Sequence, residues 1–426
     1  MSVLLRGGMV FYEGALKRLD ILIDKGVVVD VAPSFPHAES LKVIDCTGKI
    51  ISPGFVDVHV HLREPGFSMK ETIAQGTAAG AASGYTALCA MPNLNPVPDC
   101  PEKLKIETDI IEKDAVIPVY AYGSITMGQN GGELVSFAEM TDAIGFSDDG
   151  KGVQNEAMMR RAMSEIAQTG RILAAHCEDD SLNPNRGVIH DGVYAKANGL
   201  VGIPSQSEWR QIERDLQLVK ETGCKYHVCH VSAKESVDVI RKAKAEGISV
   251  TCETAPHYLA LCDEDLLDEG RFKMNPPIRG KDDRDALIAG LIDGTIDVVA
   301  TDHAPHTAEE KSGGLRGSIM GITGLETAFP VLYTKLVKTG AMSLERLLET
   351  MAAVPGNIFN LGGEIKRGAD ADIAVLDISE EYEIDSSKFL SKGKSTPFEG
   401  MKVFGKCDLT IAKGKIVYSK EQGIIV

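Results

Sequence analysis

The sequence predicts an α/β fold: a (β/α)8 TIM-like barrel with a small composite β-sandwich domain built from both termini. Three observations predict it. Eight short apolar, β-branched runs recur through the middle of the chain, helical stretches separate several of them, and both ends share a different strand-and-turn texture. The runs are 54–62, 85–91, 117–122, 143–146, 171–176, 225–231, 248–254 and 296–301. Near-continuous apolar strands alternating with helices argue for a parallel sheet covered on both faces. Eight of them suggest closure into a barrel, whose catalytic groups come from the C-terminal strand ends. A doubly wound open sheet is the alternative, but no G-x-G-x-x-G follows any run, so a dinucleotide site lacks support.

Taken in order, residues 1–51 hold β-rich pieces such as 19–31 and 42–51, broken by Gly and Asp turns. Between 208 and 223, Trp209, Ile212, Leu216 and Val219 share one helical face. After the sixth run, Ser232-Ala233-Lys234-Glu235 reads as a capping box opening a helix that Gly247 stops. From 365 to 426 the β texture returns, in 371–376 and 409–417. Neither end alone is expected to supply enough strands for a stable sheet. The two ends should therefore meet in one small domain, 1–51 with 365–426, beside a barrel of 52–364.

Composition narrows the class. The chain has 426 residues, is 43% hydrophobic and carries a net charge of −16. An acidic surface disfavours non-specific binding to nucleic acid or anionic membrane. An aromatic content of 5% also counts against a nucleic-acid-binding or carbohydrate-binding barrel. Nine scattered cysteines without a C-x-x-C pair read as reduced, buried thiols of a cytoplasmic protein. The N-terminus lacks the pattern of a signal peptide, and no window reaches the ~18 apolar residues of a membrane span. A soluble, cytoplasmic protein is expected.

The histidines carry the chemistry. Of ten, His59 and His61 end the first run, His176 the fifth, and His227 and His230 lie in the sixth. His257 follows the seventh run, His303 and His306 follow the eighth, and only His37 and His190 fall elsewhere. His59 and His61 are two apart on a strand, so both face the barrel interior and can share a metal. Joined by His176, His230 and Asp302 from other strand ends, they form a nitrogen-and-oxygen donor set that suits Zn2+ in a catalytic site. Such an ion lowers the pKa of a bound water to about 7, and Asp302 beside it becomes a general base. The fourth run ends Ser147-Asp148-Asp149-Gly150. Adjacent strand residues point oppositely, so one carboxylate at most faces the axis, where it could bridge two metals, while the other fixes the turn. By the same periodicity His227 and His303 point away; His257 is undecided.

These motifs resemble the dihydroorotases, class I type, of the amidohydrolase superfamily. The matching segments are Pro53 to Gly66 (with H-x-H and H-L-R-E-P-G), Ala90-Met91-Pro92-Asn93, Phe146 to Gly150, Cys229 to Ser232, Glu253 to His257, Asn275 to Arg279 and Thr301 to His306. They occur in the family's order over about 250 residues, and the end segments fit its composite β domain. The resemblance implies reversible, zinc-dependent cyclisation of N-carbamoyl-L-aspartate to (S)-dihydroorotate in pyrimidine biosynthesis. It makes His59, His61, Asp149, His176, His230 and Asp302 metal ligands, with one or two Zn2+ per chain and Asp302 also the acid/base. Asp149 would stand where other members carry a carboxylated lysine; Lys151 reads as a solvated loop residue. His61, Arg63, Asn93, Asn275, His306, Met320 and Gly321 become substrate contacts. Arg63 follows His61 by two residues and offers a bidentate partner for a carboxylate. The Gly-rich stretch 311–318 resembles a mobile lid. Rivals are a dihydropyrimidinase or allantoinase, which usually keep the bridging lysine, and a non-catalytic scaffold, which typically loses ligands. Partners left open are a second copy of the chain, as a homodimer, and aspartate transcarbamoylase.

Overall fold

The computed structural model of the chain describes residues 2–36 and 41–425, so His37 lies outside the described residues. The eight runs become eight parallel strands: Phe55–Val60, Tyr85–Ala90, Val119–Ala121, Gly145–Phe146, Ile172–Ala175, Lys225–Val228, Val250–Thr254 and Val298–Val299. The first three form one ladder and the last five another. Parallel bridges Gly123–Phe146 and Val60–His303 join the two ladders, so the cylinder closes. Every residue of the first two strands is buried, because helices cover the outside and side chains fill the inside. Among the described residues no helix is long and apolar enough to cross a membrane.

The helix Gln206–Thr222 buries Ile212, Leu216 and Val219 as expected, but its inward face also carries Glu208, Gln211 and Asp215, while Trp209 is only partly buried. Glu208 explains a correction. The helix Lys234–Ala245 does start where the Ser-x-x-Glu pattern places it, but its N-cap is Ala233 and no side chain of a capping box serves it. The Ser232 hydroxyl donates to Glu208 instead. Glu208 also accepts from the Ser232 and Ala233 N–H groups, both at 3.0 Å, and from the Ser236 hydroxyl at 2.7 Å. A buried carboxylate is a stronger acceptor than a serine oxygen, so a neighbouring helix satisfies the exposed amides of this one. Gly247, at φ +79°, follows the helix end.

The two chain ends meet in one continuous nine-stranded sheet. The strand Ile50–Pro53 lies between Val3–Tyr12, which it joins in parallel, and Ile373–Glu383, which it joins antiparallel with Ile51 opposite Val375. Lys49 reaches from the N-terminal side to both Asp377 and Asp408 on the C-terminal side. Leu5, Val10, Ile21, Ile51, Val375 and Ile411 share one core. The expectation that neither end alone supplies enough strands for a sheet needs correction: the N-terminal segment supplies five. Its first strand is masked in the sequence by Gly7-Gly8, which sit at a bulge where Arg6 and Gly7 together face Asp20. The bulge lets one strand pair Lys42–Asp45 with its first half and Ile50–Pro53 with its second.

Candidate metal centre

The interior face of the first strand ends in His59 and His61, and both rings turn into the mouth of the barrel. Their Nε2 atoms lie 3.5 and 3.1 Å from Asp302 Oδ1, at the end of the eighth strand. From the fourth strand, Asp149 places Oδ1 3.5 Å from His59 Nε2 and Oδ2 3.5 Å from His61 Nε2. Its Oδ1 is also 3.7 Å from His176 Nδ1 and 3.4 Å from His230 Nε2, the groups closing the fifth and sixth strands. Asp149 thus faces two histidine pairs at once. His230 and Asp302 take left-handed backbone conformations, φ 36° and 47°. Such conformations cost a non-glycine residue energy and cluster where function re-aims a side chain.

These separations test whether a metal fits. Ligand atoms about 2.1 Å from a tetrahedral ion lie about 3.4 Å from one another. His59, His61 and Asp302 form one donor group and His59, Asp149 and His230 another, and the nitrogen–oxygen separations within them, 3.1–3.5 Å, are close to that value. His59 Nε2 is buried without a hydrogen-bond partner among the described residues, as a lone pair reserved for an ion would be. The other ring nitrogen settles the tautomer: Nδ1–H donates to Glu253 Oε1 at 2.6 Å, leaving Nε2 free to ligate. Burial alone would lift the Asp149 carboxyl, but His59, His230 and His61 around it hold it well below the usual carboxylate range. Asp302 is likewise pushed up by burial and pulled below its ordinary value by His61 and His59. Both carboxylates therefore stay ionised. The residues present fit one or two divalent cations.

Asp148 has the other task. Its carboxylate accepts the N–H groups of Ile125 and Thr126, at 2.8 and 3.1 Å, and the Thr126 hydroxyl. Lys151 is exposed. His227 faces Glu253 Oε2 and Thr251 Oγ1. His303 turns outward, its Nδ1 accepting from the Gly324 N–H at 3.2 Å. His257 is buried against Tyr258, and burial pulls its pKa down to about 4.

A cavity of about 200 Å3 opens on the donors and is lined also by Arg63, Asn93, Asn275, Met320 and Gly321. Arg63, at φ 64°, donates through Nε to the Pro305 carbonyl at 3.2 Å. Asn93 Nδ2 donates to the Asp149 carbonyl at 2.8 Å, and its Oδ1 has no partner among the described residues. Asn275 Nδ2 donates to Glu178 Oε2 at 2.7 Å. His306 borders this wall without lining it: its Nε2 lies 3.2 Å from the Arg63 guanidinium and 2.9 Å from the Met320 carbonyl. Burial, with Arg63 and Lys70 beside it, lowers its pKa to about 3. A larger cleft, about 850 Å3 between sheet and barrel and lined by Phe329, Tyr382 and Tyr418, holds none of these donors.

The stretch 311–318 is docked against the barrel mouth in this structure. Lys311 and Leu315 are buried, and Leu315 N–H donates to Asp268 Oδ1 at 2.9 Å. Tertiary contacts, not local sequence, set the conformation of this glycine-rich segment. Sequence reasoning also missed Glu253 and Glu178, which hold His59, His227, His176 and Asn275 from behind. The one available signal was a glutamate inside an apolar strand, where an unpaired charge would be prohibitive.

Residues 48–236 match the family described as dihydro-orotase-like. A dihydroorotase of Bacillus cereus strain AH820 is 48% identical over 430 residues, covering 100% of both chains. Another, from Bacillus cereus strain AH187, is 49% identical over 417 residues, covering 97% of each. Among solved structures, L-hydantoinase (dihydropyrimidinase) from Arthrobacter aurescens superposes with a TM-score of 0.89 at 28% identity, over 100% of this chain and 97% of that one. Dihydropyrimidinase from Brevibacillus agri NCHU1002 gives 0.86 at 23% identity, over 99% and 96%; that likeness speaks to the fold alone, a barrel with a β-sandwich.

Proposed function

The chain belongs to the dihydroorotase family and is a cyclic amidohydrolase, and from that premise we propose that it interconverts N-carbamoyl-L-aspartate and (S)-dihydroorotate at the centre described above. One observation supports this most: six imidazole and carboxylate donors from five strand ends meet beside a small cavity whose wall carries a guanidinium. His59, His61 and Asp302 would hold one zinc ion and His176 and His230 a second where two bind, and Asp149 faces both histidine pairs. When bound, zinc supplies Lewis-acid polarisation of the amide carbonyl and activation of water.

The chain's own groups do the rest. In ring opening, water oxygen attacks the ring amide carbon, the carbon–nitrogen bond breaks, and the nitrogen must gain a proton. Asp302, ionised and 3.1 Å from His61 Nε2, takes the proton from water and returns it to the departing nitrogen. In ring closure it collects that proton from the ureido nitrogen and passes it to the departing oxygen of the β-carboxylate, which takes a second proton from solvent and leaves as water. Arg63 pairs with the substrate carboxylate that does not react. Asn93 and Asn275 hold its polar edge, Met320-Gly321 form the opposing wall, and His306 backs the Arg63 guanidinium. Glu178 and Glu253 keep Asn275 and the imidazoles aimed.

The small β domain, 1–51 with 365–426, and the barrel, 52–364, are the units we assign. A role in pyrimidine biosynthesis, a cytoplasmic location, a homodimer and association with aspartate transcarbamoylase belong to the same proposal. Sedimentation of the chain alone and with that enzyme tests the last two. The activity is tested by ring opening of dihydroorotate before and after chelation, with zinc added back. Dihydrouracil, hydantoin and allantoin run alongside, because the hydantoinase likeness makes them the natural competitors. Loss on chelation and recovery with zinc, for dihydroorotate alone, is the expected result; equal turnover of a competitor would move the substrate assignment.

A further inference from the structure

The clasp on the 311–318 stretch has a centre, and it is one side chain. Lys311 is buried, and its ammonium donates to three backbone carbonyls: Lys273 at 3.0 Å, Ile319 at 2.7 Å and Gly321 at 2.7 Å. An ammonium has three protons and no lone pair, so this tripod uses its full capacity. The three acceptors belong to two chain limbs that both end in the cavity wall. Met320 and Gly321 lie on one limb; on the other, Asn275 follows Lys273 by two residues. Otherwise the limbs are joined at this level by a backbone bond, Gly321 N–H to the Lys273 carbonyl at 3.0 Å, and by the Lys273 ammonium donating to the Arg316 carbonyl at 3.2 Å. The fit behind the lysine is tight: a Cβ on Gly270 would stand 2.2 Å from the Lys311 carbonyl. Burial pulls the Lys311 pKa down to about 7. The three carbonyls pull the other way, since only the protonated amine can fill all of them.

We infer that Lys311 is a positioning residue for substrate binding, an internal cross-link that sets the distance between the Asn275 wall and the Met320-Gly321 wall. It touches neither the metal donors nor the cavity. Its effect should therefore fall on the fit of the ligand and not on the chemical step, which is the signature of uniform binding lost from ground and transition state alike. The kinetic part rests on dihydroorotate being the substrate; the cross-link itself does not.

The test compares the full-length, zinc-loaded protein with Lys311→Met, which keeps the stem and removes all three donors, and with Lys311→Arg, which keeps a cation. For Lys311→Met the expected result is a rise in KM for dihydroorotate of about tenfold, with kcat changed less than about threefold and zinc content unchanged. Hydrogen exchange at the 319–321 amides should speed up about tenfold, while the barrel strands exchange as in the parent. Lys311→Arg should recover at least half of the logarithmic loss in KM. Should the methionine variant not fold, Lys311→Gln, whose amide still meets two carbonyls, is read by the same measurements with a KM rise of about threefold. Unchanged exchange at 319–321 would overturn the cross-link. A KM within twofold of the parent, or a loss confined to kcat, would overturn its role in substrate fit. A parent that does not open dihydroorotate would instead sink the substrate assignment and leave the exchange result to decide the cross-link.

Discussion

Glu253 offers the sharpest perturbation, because its replacement by glutamine changes charge and almost nothing else. Its Oε1 accepts from His59 Nδ1 at 2.6 Å and from the His230 N–H at 3.2 Å, and its Oε2 faces His227 Nε2 at 3.1 Å. In Glu253→Gln the amide oxygen can keep both Oε1 bonds. The amide nitrogen would then meet His227 Nε2, which must present its lone pair. It can, because the proton can move to His227 Nδ1, already 2.8 Å from the Thr251 hydroxyl. The hydrogen bonds survive, and the lost quantity is the negative charge that makes His59 a better ligand. Such outer partners are worth about 10–100-fold in metal affinity, or about 1.4–2.7 kcal/mol. Glu253→Ala is different: it strands three buried donors at about 1–3 kcal/mol each and should destabilise the metal-free protein by about 3 kcal/mol or more. The assay is a zinc titration against a competing chelator, with urea unfolding of the metal-free proteins in parallel. Glutamine should weaken zinc and spare stability; alanine should damage both. Zinc affinity within twofold of the parent in the glutamine variant would refute the electrostatic role given to Glu253.

Three further outcomes are expected. Asp302→Asn should cut kcat by about 10²–10⁴ with much of the zinc retained, checked by steady-state rates on protein of measured metal content; near-normal turnover would remove Asp302 as the proton carrier. His306 has its pKa lowered from 6.5 to about 3, so the folded protein resists the proton that the unfolded chain accepts. Stability held above pH 6.5 should fall as the pH drops toward 3, by up to about 4 kcal/mol, and His306→Gln should flatten that limb in metal-free protein; superimposable acid limbs would contradict it. Arg279→Met should cost about 3 kcal/mol in urea unfolding, because Arg279 Nη2 lies 3.2 Å from Glu208 Oε2 and its loss leaves that buried carboxylate uncompensated; a loss below 1 kcal/mol would mean the serine and backbone donors suffice.

Much of the barrel was legible because its strands are buried on both faces, which turns even the two-residue strand Gly145–Phe146 into part of a visible apolar run. The donors were legible for a related reason: the two-residue period of a strand fixes the facing of His59 and His61 before any contact is known. That period also separates Asp148 from Asp149, though it cannot say which faces inward; the Thr126 hydroxyl and two N–H groups waiting for Asp148 decide it. What stayed hidden is what distant residues supply. Glu208 takes the serine that a capping box would use, Glu253 draws its donors from two other strands, and Lys311 sits in a glycine-rich stretch whose local character says loop. Val3–Tyr12 was obscured by the two glycines at the bulge that lets it serve two neighbours.

The strand Ile50–Pro53 has its outer partner, Ile373–Leu376, more than three hundred residues further along. On a ribosome adding roughly 5–20 residues per second, that edge waits unpaired for tens of seconds while the whole barrel is made. An open, apolar strand edge is a template for pairing with another chain. Newly made copies are thus most exposed to mispairing before their last fifty residues emerge, and shortening the C-terminus would make that vulnerable state permanent.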